Sequence, residues 1–179
     1  NMLSRNEYLE RHDMSKLRTR RNSVITNLGQ FLIVQLKRMT IVQDTKTKQM
    51  IPSKIASGNM LIKIDEKFQH EGNNFSLCGM IFHSGSDCNS GHYIAHVKTN
   101  DNWYSANDSM VRKLKNDESK FRMLGQKSGE KPYVLMYKKD TLTSVDYTVK
   151  GITNIGDSCY VNASLQMLMP IIQSLVNEL

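Results

Sequence analysis

The chain has 179 residues, of which 39% are hydrophobic and 23% charged, enough to bury the core of one globular domain. No apolar run approaches the roughly 18 residues of a membrane span, and the three cysteines show no close repeat of the secreted disulfide kind, so we expect an intracellular protein, cytoplasmic or nuclear, without a membrane partner. Part of the net charge of +7 lies between Lys16 and Arg21, but no interleaved aromatic residues accompany it, so we interpret it as a solvated basic segment and expect no nucleic-acid partner.

The elements predicted over most of the chain are strands. A solvated helix is predicted at Tyr8–Arg21, inside a basic, polar N-terminal segment that spans residues 1–27. Short apolar runs then predict strands at Phe31–Leu36, Met60–Ile64, Phe75–Phe82, His92–Val97, Trp103–Ala106 and Tyr133–Tyr137. Between the first two strands, Asp44–Lys48 is a polar turn after which the chain returns at Gln49–Ile51.

Near the end of the chain, Cys159 stands where a turn becomes a helix. Val161, Leu165 and Leu168 follow it at i, i+4, i+7 spacing, which predicts an amphipathic helix with these residues on its core face. Pro170 is expected to end that helix or to begin a second, short one. Strands followed by a helix predict an α+β fold. The unpaired N–H groups and the positive dipole end of a helix start favour a thiolate at Cys159.

Four further residues could complete a thiol-dependent site. His92 follows a glycine-containing loop at a strand start and could take the cysteine proton. Asn107 and Asp108 lie on the neighbouring hairpin strand, and either side chain could orient the imidazole. Asn154, five residues before Cys159, could aim its amide at the developing negative charge.

Taken together, these motifs resemble those of the ubiquitin-specific proteases. Residues 151–168 are similar to the family's cysteine box, including its Asn-x-Gly-x-x-Cys-Tyr-x-Asn core. The other similar segments are Phe31–Arg38, for the strand before the boxes, Phe75–Val97, for the histidine box, Trp103–Val111, for the next box, and Tyr133–Tyr137, for the closing strand. The resemblance implies a papain-like cysteine peptidase over residues 28–179, with an antiparallel β-sheet palm and the catalytic cysteine at a helix N-terminus.

The activity that the resemblance implies is that of a deubiquitinase, with ubiquitin or ubiquitinated proteins as partners and with no cofactor or metal. Cys159 would attack the carbonyl of the C-terminal glycine of ubiquitin, and His92 would act as the base. Asn107, or else Asp108, would orient His92. Asn154 and the Cys159 backbone N–H would stabilise the oxyanion.

The chain also departs from the family pattern. The cysteine box, in residues 151–179, follows the histidine box, so the motif order looks circularly permuted, with residues 138–150 as the connector. Alternatively, the chain joins the end of one copy to the start of another. Little of the helical thumb follows the cysteine box, so another chain could complete it, and the zinc-binding CxxC pairs of the fingers are absent. Asp157 stands where asparagine is common, and its charge would oppose thiolate formation while still allowing it to cap the helix.

Three other functions compete with this interpretation. The domain could bind ubiquitin without cleaving it, or it could process a polyprotein. Third, a zinc site could form from Cys78, His83, Cys88 and His92, and a basic zinc module could bind nucleic acid. We disfavour zinc because Cys78 and His83, five residues apart in one predicted strand, should face opposite sides of the sheet.

Overall fold

A computed structural model describes residues 25, 27–54, 62–85, 90–115, 130–142 and 146–177. The helix expected at Tyr8–Arg21 lies outside these residues, as do nearly all of segment 1–27 and Cys88. The described elements are β1 (Phe31–Gln35), β2 (Met39–Gln43), β3 (Met50–Lys54), β4 (Lys67–His70), β5 (Asn73–Ser84), β6 (His92–Thr99), β7 (Asn102–Asn107), β8 (Met110–Lys113), β9 (Glu130–Lys139) and α1 (Cys159–Asn177).

Antiparallel pairing joins seven of the strands into one sheet. Its order is β1-β9-β5-β6-β7-β8, and β4 pairs with the first part of β5. The long strand β5 therefore lies at the centre, hydrogen-bonded to β9 on one side and to β6 on the other. The α+β class is confirmed, and every predicted strand except Met60–Ile64 coincides with an observed one.

The second sheet is the hairpin of β2 and β3. The polar turn predicted at Asp44–Lys48 connects its strands. Asp44 Oδ1 accepts hydrogen bonds from the backbone N–H groups of Lys46 and Thr47, at 2.9 and 2.6 Å. These two bonds are those of an Asx turn, which is why the polar cluster reverses the chain here.

The strand predicted at Met60–Ile64 is wrong for the part that the structure describes. Residues 62–65 form no strand, and the next one begins only at Lys67. Ile64 is nevertheless buried, because it packs in the core on the sheet face away from α1. A short apolar run indicates burial, and here the burial comes without strand pairing.

Two cores cover the two faces of the large sheet. The residues away from the helix are Ile64, Phe75, Leu77, Met80, Phe82, Trp103, Leu114, Leu135 and Tyr137. Those on the helix side are Cys78, Ile81, Ala95, Ala106, Met136, Ala163 and Met167. Gly79 lets the helix come close, since a Cβ there would lie 2.9 Å from Met167 Cγ.

The buried face of α1 is not the one that the aliphatic spacing predicts. The helix packs through Asn162, Ala163, Gln166 and Met167, all of which are buried. Val161 and Leu165 are 39% and 43% exposed, and Leu168 is only partly buried. Because the helix has no charged residue in its 19 positions, both of its faces are apolar, and the spacing of large aliphatic residues could not tell which one packs on the sheet.

Pro170 also differs from expectation, because α1 continues through it from Cys159 to Asn177. The proline lacks an N–H, so it costs the helix the usual bond to the Gln166 carbonyl without ending it. Contrary to expectation as well, this helix is long and apolar enough, by length and composition alone, to cross a membrane. In the structure one of its faces packs on the sheet.

Candidate active site

Cys159 is the first residue of α1, where a hydrogen-bonded loop holds the helix start. The Ser158 carbonyl accepts the first helical bond, from Asn162 N at 3.0 Å, so Ser158 is the N-cap residue rather than Asp157. Ser158 Oγ also accepts from Ile155 N, at 3.1 Å, and donates to Asn154 Oδ1, at 3.0 Å. The first turn of the helix contains no acidic residue. Cys159 is partly exposed, so an approaching carbonyl can reach its thiol.

His92 opens β6, and Asn107 ends β7, the strand paired with it. His92 Nε2 and Asn107 Oδ1 lie 2.6 Å apart. Because an amide oxygen can only accept, this contact assigns the proton to Nε2 and leaves Nδ1 as the acceptor of the ring. The imidazole is therefore held in the tautomer that a general base requires.

Asp108 follows Asn107 in the turn between β7 and β8, with a φ of 49°. Its Oδ2 accepts from Asn154 Nδ2 at 3.0 Å, and its Oδ1 accepts from Asn162 Nδ2 at 2.8 Å. Its main-chain carbonyl accepts from Ile152 N at 2.9 Å. Of the two candidates for orienting His92, the structure thus brings Asn107 to the imidazole and turns Asp108 toward the cysteine segment.

Two polar residues of α1, neither given a role from the sequence, anchor the segment before Cys159: Asn162 contacts the site itself, whereas Gln166 contacts that segment outside the site. Asn162 also lies near the carbonyl oxygens of Ile152 and Thr153, at 3.3 and 3.5 Å from its Nδ2. Gln166 donates to the Lys150 carbonyl. Both side chains are buried. Their spacing of four residues, on one helix face next to the nucleophile, is the pattern that could have identified them.

Glycines allow two close approaches at the site. A Cβ on Gly151 would lie 2.1 Å from the Ser109 carbonyl oxygen, so only glycine lets the cysteine segment dock against the β7–β8 turn. Gly91, beside His92, has a φ of +138°, and a Cβ there would lie 2.3 Å from the Ser84 carbonyl oxygen.

A cleft of about 680 Å³ adjoins the cysteine. Its lining residues are Ile81, His83, Ser90, Gly91, Tyr93, Tyr133, Val134, Asp157, Cys159, Tyr160 and Ser164. Gly91 and Tyr93 flank His92 in the chain, so the histidine and cysteine segments meet at this cleft. The ring centroids of His83 and Tyr93 lie 4.6 Å apart in its wall. The cleft is large enough to hold a small ligand beside the thiol.

Our reason for disfavouring zinc was wrong in one respect. A β-bulge between Leu77 and Gly79 shifts the alternation of β5, so Cys78 and His83 both lie on the α1 side. Their separation of five residues along the strand still places them about 16 Å apart, too far to ligate one ion. Cys78 Sγ instead donates to the Met136 carbonyl, at 3.4 Å. Burial raises the pKa of this thiol to about 12.

Comparison with known sequences points to one family. Residues 4–137 match the family profile described as ubiquitin carboxyl-terminal hydrolase. Ubiquitin carboxyl-terminal hydrolase 26 of Oryza sativa subsp. japonica is 30% identical over 131 residues, 70% of this chain and 11% of the rice protein. Ubiquitin carboxyl-terminal hydrolase 48 of Rattus norvegicus is 30% identical over 113 residues, 61% of this chain and 11% of the rat protein. The chain thus spans about a tenth of the length of these curated relatives.

Similar solved structures include the SAGA Ubp8/Sgf11/Sus1/Sgf73 DUB module, at 25% identity and a TM-score of 0.48 over 65% of this chain and 25% of that one. Another is the SAGA DUB module bound to monoubiquitin, at 25% identity and a TM-score of 0.48 over 65% of this chain and 24% of that one. The cysteine segment, residues 151–168, lies after the last residue of the family match.

Proposed function

Because the chain belongs to the ubiquitin carboxyl-terminal hydrolase family, we propose that it is a thiol-dependent deubiquitinase. It hydrolyses isopeptide or peptide bonds at the C-terminal glycine of ubiquitin. One observation carries this proposal: His92 Nε2 lies 2.6 Å from Asn107 Oδ1, and residues on both sides of His92 share a cleft with Cys159 at a helix start. Residues that flank the proposed base therefore lie beside the proposed nucleophile, and the orienting amide lies beside the base, which supports these three roles.

The reaction proceeds in two halves. His92 Nδ1 takes the thiol proton as Cys159 Sγ attacks the glycine carbonyl, and His92 then returns that proton to the leaving amine. This leaves a thioester, and His92 deprotonates the water that hydrolyses it. The ubiquitin carboxylate is released and the Cys159 thiol is restored.

The oxyanion of each tetrahedral intermediate is stabilised by the Cys159 backbone N–H and by Asn154. An amide NH2 has two hydrogens, and Asn154 donates one to Asp108 Oδ2, at 3.0 Å. The second hydrogen is the one that meets the oxyanion. Asp108 therefore positions Asn154, while Asn107 orients His92.

Cleavage of a ubiquitin C-terminal fluorogenic amide tests the activity directly. Turnover by the wild-type chain and covalent labelling by a ubiquitin-based electrophile should both be lost in Cys159→Ala. They should persist in Cys78→Ala, because Cys78 is buried and its thiol contacts Met136 rather than the cleft. Ubiquitin binding without turnover or labelling would favour the competing function, a ubiquitin-binding domain that does not cleave.

The motif order is a second part of the proposal. A circularly permuted domain explains why the cysteine segment follows residue 137, where the family match ends, yet docks on the same sheet. Ile152 N donates to the Asp108 carbonyl, at 2.9 Å, and Gly151 packs against Ser109. The connector, residues 138–150, joins the two parts within one chain.

A mixture of two inactive variants distinguishes a circularly permuted domain from a chain that joins the end of one copy to the start of another. If Cys159 and His92 of one chain form the site, a mixture of Cys159→Ala and His92→Ala should stay inactive. Restored hydrolysis in the mixture would show that the cysteine of one copy meets the histidine of another, and would overturn the permuted single-chain domain.

A chain that completes the thumb is the third part of the proposal. The outer face of α1 carries the exposed apolar residues Val161, Leu165, Ile172, Leu175 and Val176. A helix that is apolar on both faces is expected to be covered on both. The chain isolated from its native source should then co-elute with a partner that a Leu165→Gln, Leu175→Gln variant loses. Elution of both proteins as lone monomers contradicts this part.

A further inference from the structure

We infer that Asn162 is a positioning residue for the oxyanion donor Asn154, an assignment that rests on the proposed function. Asn162 lies three residues after Cys159, one turn along α1, and its side chain is only 5% exposed. A buried amide on a helix face that otherwise packs through Ala163 and Met167 requires hydrogen-bond partners. Its partners are Asp108, which also binds Asn154, and the backbone carbonyls of the two residues before Asn154.

The first partner is Asp108. Its two carboxylate oxygens are divided between two amides, with Asn162 Nδ2 at 2.8 Å from Oδ1 and Asn154 Nδ2 at 3.0 Å from Oδ2. Asn162 thereby fixes the rotation of the carboxylate that orients Asn154. Without it, Oδ1 would be left without this partner, and the carboxylate could rotate away from Asn154.

The second set of partners is the backbone just before Asn154. Asn162 Nδ2 lies 3.3 Å from the Ile152 carbonyl oxygen and 3.5 Å from that of Thr153. These contacts tie the loop to the helix that carries Cys159. The Asn162 side chain therefore links the helix that carries Cys159 to Asn154. It does so in two ways, through Asp108 and through the backbone just before Asn154.

A displaced oxyanion donor affects some reactions of Cys159 and spares others. Hydrolysis of a ubiquitin amide passes through a tetrahedral oxyanion, and loss of one donor lowers kcat by about 100- to 1000-fold. Alkylation by iodoacetamide is a displacement at carbon that forms no such oxyanion. It reports only the thiolate and its access, so a defect confined to Asn154 should leave it unchanged.

The experiment compares Asn162→Leu, which keeps the approximate shape and removes the amide, with Gln166→Leu. Gln166 is a matched control because it is buried on the same helix face, 4% exposed, and donates to Lys150 rather than to the loop at 152–154. Asn162→Leu should lower kcat for a ubiquitin fluorogenic amide by about 10- to 100-fold. KM and the rate of Cys159 alkylation should stay within about twofold of wild type. Gln166→Leu should lower the melting temperature by a similar amount and keep kcat within about threefold.

Three results would overturn the assignment. The first is an unchanged kcat in Asn162→Leu. The second is a parallel fall of kcat and alkylation, which would indicate general damage to the helix start. The third is an equal loss of kcat in Gln166→Leu. If Asn162→Leu does not fold, the same comparison is made with Asn162→Ser. A wild-type chain that is alkylated at Cys159 but never turns over ubiquitin refutes the proposed function, and the assignment falls with it, whereas a wild type that turns over isolates the role of Asn162.

Discussion

His92, the first residue of β6, and Asn107, the last residue of the neighbouring β7, are hydrogen-bonded through Nε2 and Oδ1, which lie 2.6 Å apart. The next residue, Asp108, instead accepts hydrogen bonds from Asn154 and Asn162. Adjacent residues of one hairpin thus serve opposite sides of the site. In the proposed mechanism the first orients the base, and the second positions the loop that carries the oxyanion donor.

This division predicts different defects for the two substitutions. Asn107→Ala removes the acceptor that fixes the imidazole tautomer, so hydrolysis should fall by about 10- to 100-fold. The pH profile of Cys159 alkylation should change as well, because His92 loses its hydrogen-bond partner. Asp108→Ala should lower hydrolysis while leaving that profile unchanged. Rates of iodoacetamide alkylation between pH 5 and about 9 make the comparison, and a changed profile in Asp108→Ala alone would reverse the two roles.

The contact between Gly79 and Met167 predicts a packing defect. A Cβ added at Gly79 would lie 2.9 Å from Met167 Cγ and 3.3 Å from Met136 Cε, so the Met167 side chain, or α1 with it, would have to shift. Gly79→Ala should therefore lower the free energy of unfolding by about 1–3 kcal/mol. Urea denaturation measures the loss.

The control for this prediction is Gly29→Ala, where a Cβ would meet nothing within 4 Å. It should change stability by less than about 0.5 kcal/mol. The double variant Gly79→Ala, Met167→Ala should be less destabilised than the sum of its single changes, because the shorter side chain removes the overlap. Strict additivity would show that the two residues do not press on each other.

The sequence predicted five of the seven strands of the large sheet, but it misjudged α1, and the roles of the five candidate site residues stay predictions. Strands such as Phe75–Phe82 carry β-branched and aromatic residues in short runs, a local pattern that tertiary packing rarely reverses. The helix offers two apolar faces, and the choice between them depends on Gly79 and on hydrogen bonds made by Asn162 and Gln166, which join positions far apart in sequence. Contacts of this kind leave no local pattern in the sequence from which the packed face of α1 could be predicted.

The observed orientation of α1 predicts how two of its side chains contribute to stability. Met167 is 4% exposed and Leu165 is 43% exposed. Met167→Ala should lower the free energy of unfolding by about 2–5 kcal/mol, because it leaves a cavity over the sheet. Leu165→Ala should cost less than about 1 kcal/mol in the isolated chain, since the leucine is already half in water. The reverse ranking in urea denaturation would restore the face that the aliphatic spacing predicted.

Burial of Cys78 predicts a loss of stability in alkali. Its pKa is raised to about 12 in the fold by desolvation, whereas a thiol in an unfolded chain titrates near about 8.5. Below the lower value both states hold the proton and the full stability is present. Above it the unfolded chain releases the proton and the folded chain keeps it. The free energy of unfolding should therefore fall by about 1.4 kcal/mol per pH unit until the folded thiol also titrates.

The measurement is urea denaturation of wild type and Cys78→Ala under reducing conditions from pH 8 to about 10. Burial also raises the pKa of Tyr137 and Tyr147, so both begin to contribute at the upper end of this window, but they are present in both proteins and largely cancel in the comparison. The difference in stability between the two proteins should shrink by about 2 kcal/mol across the window, since alanine does not titrate. Cys78→Ser, which keeps a donor for the Met136 carbonyl, should follow the alanine curve in slope. Parallel curves for wild type and both variants would mean that the Cys78 thiol titrates as freely in the fold as in the unfolded chain.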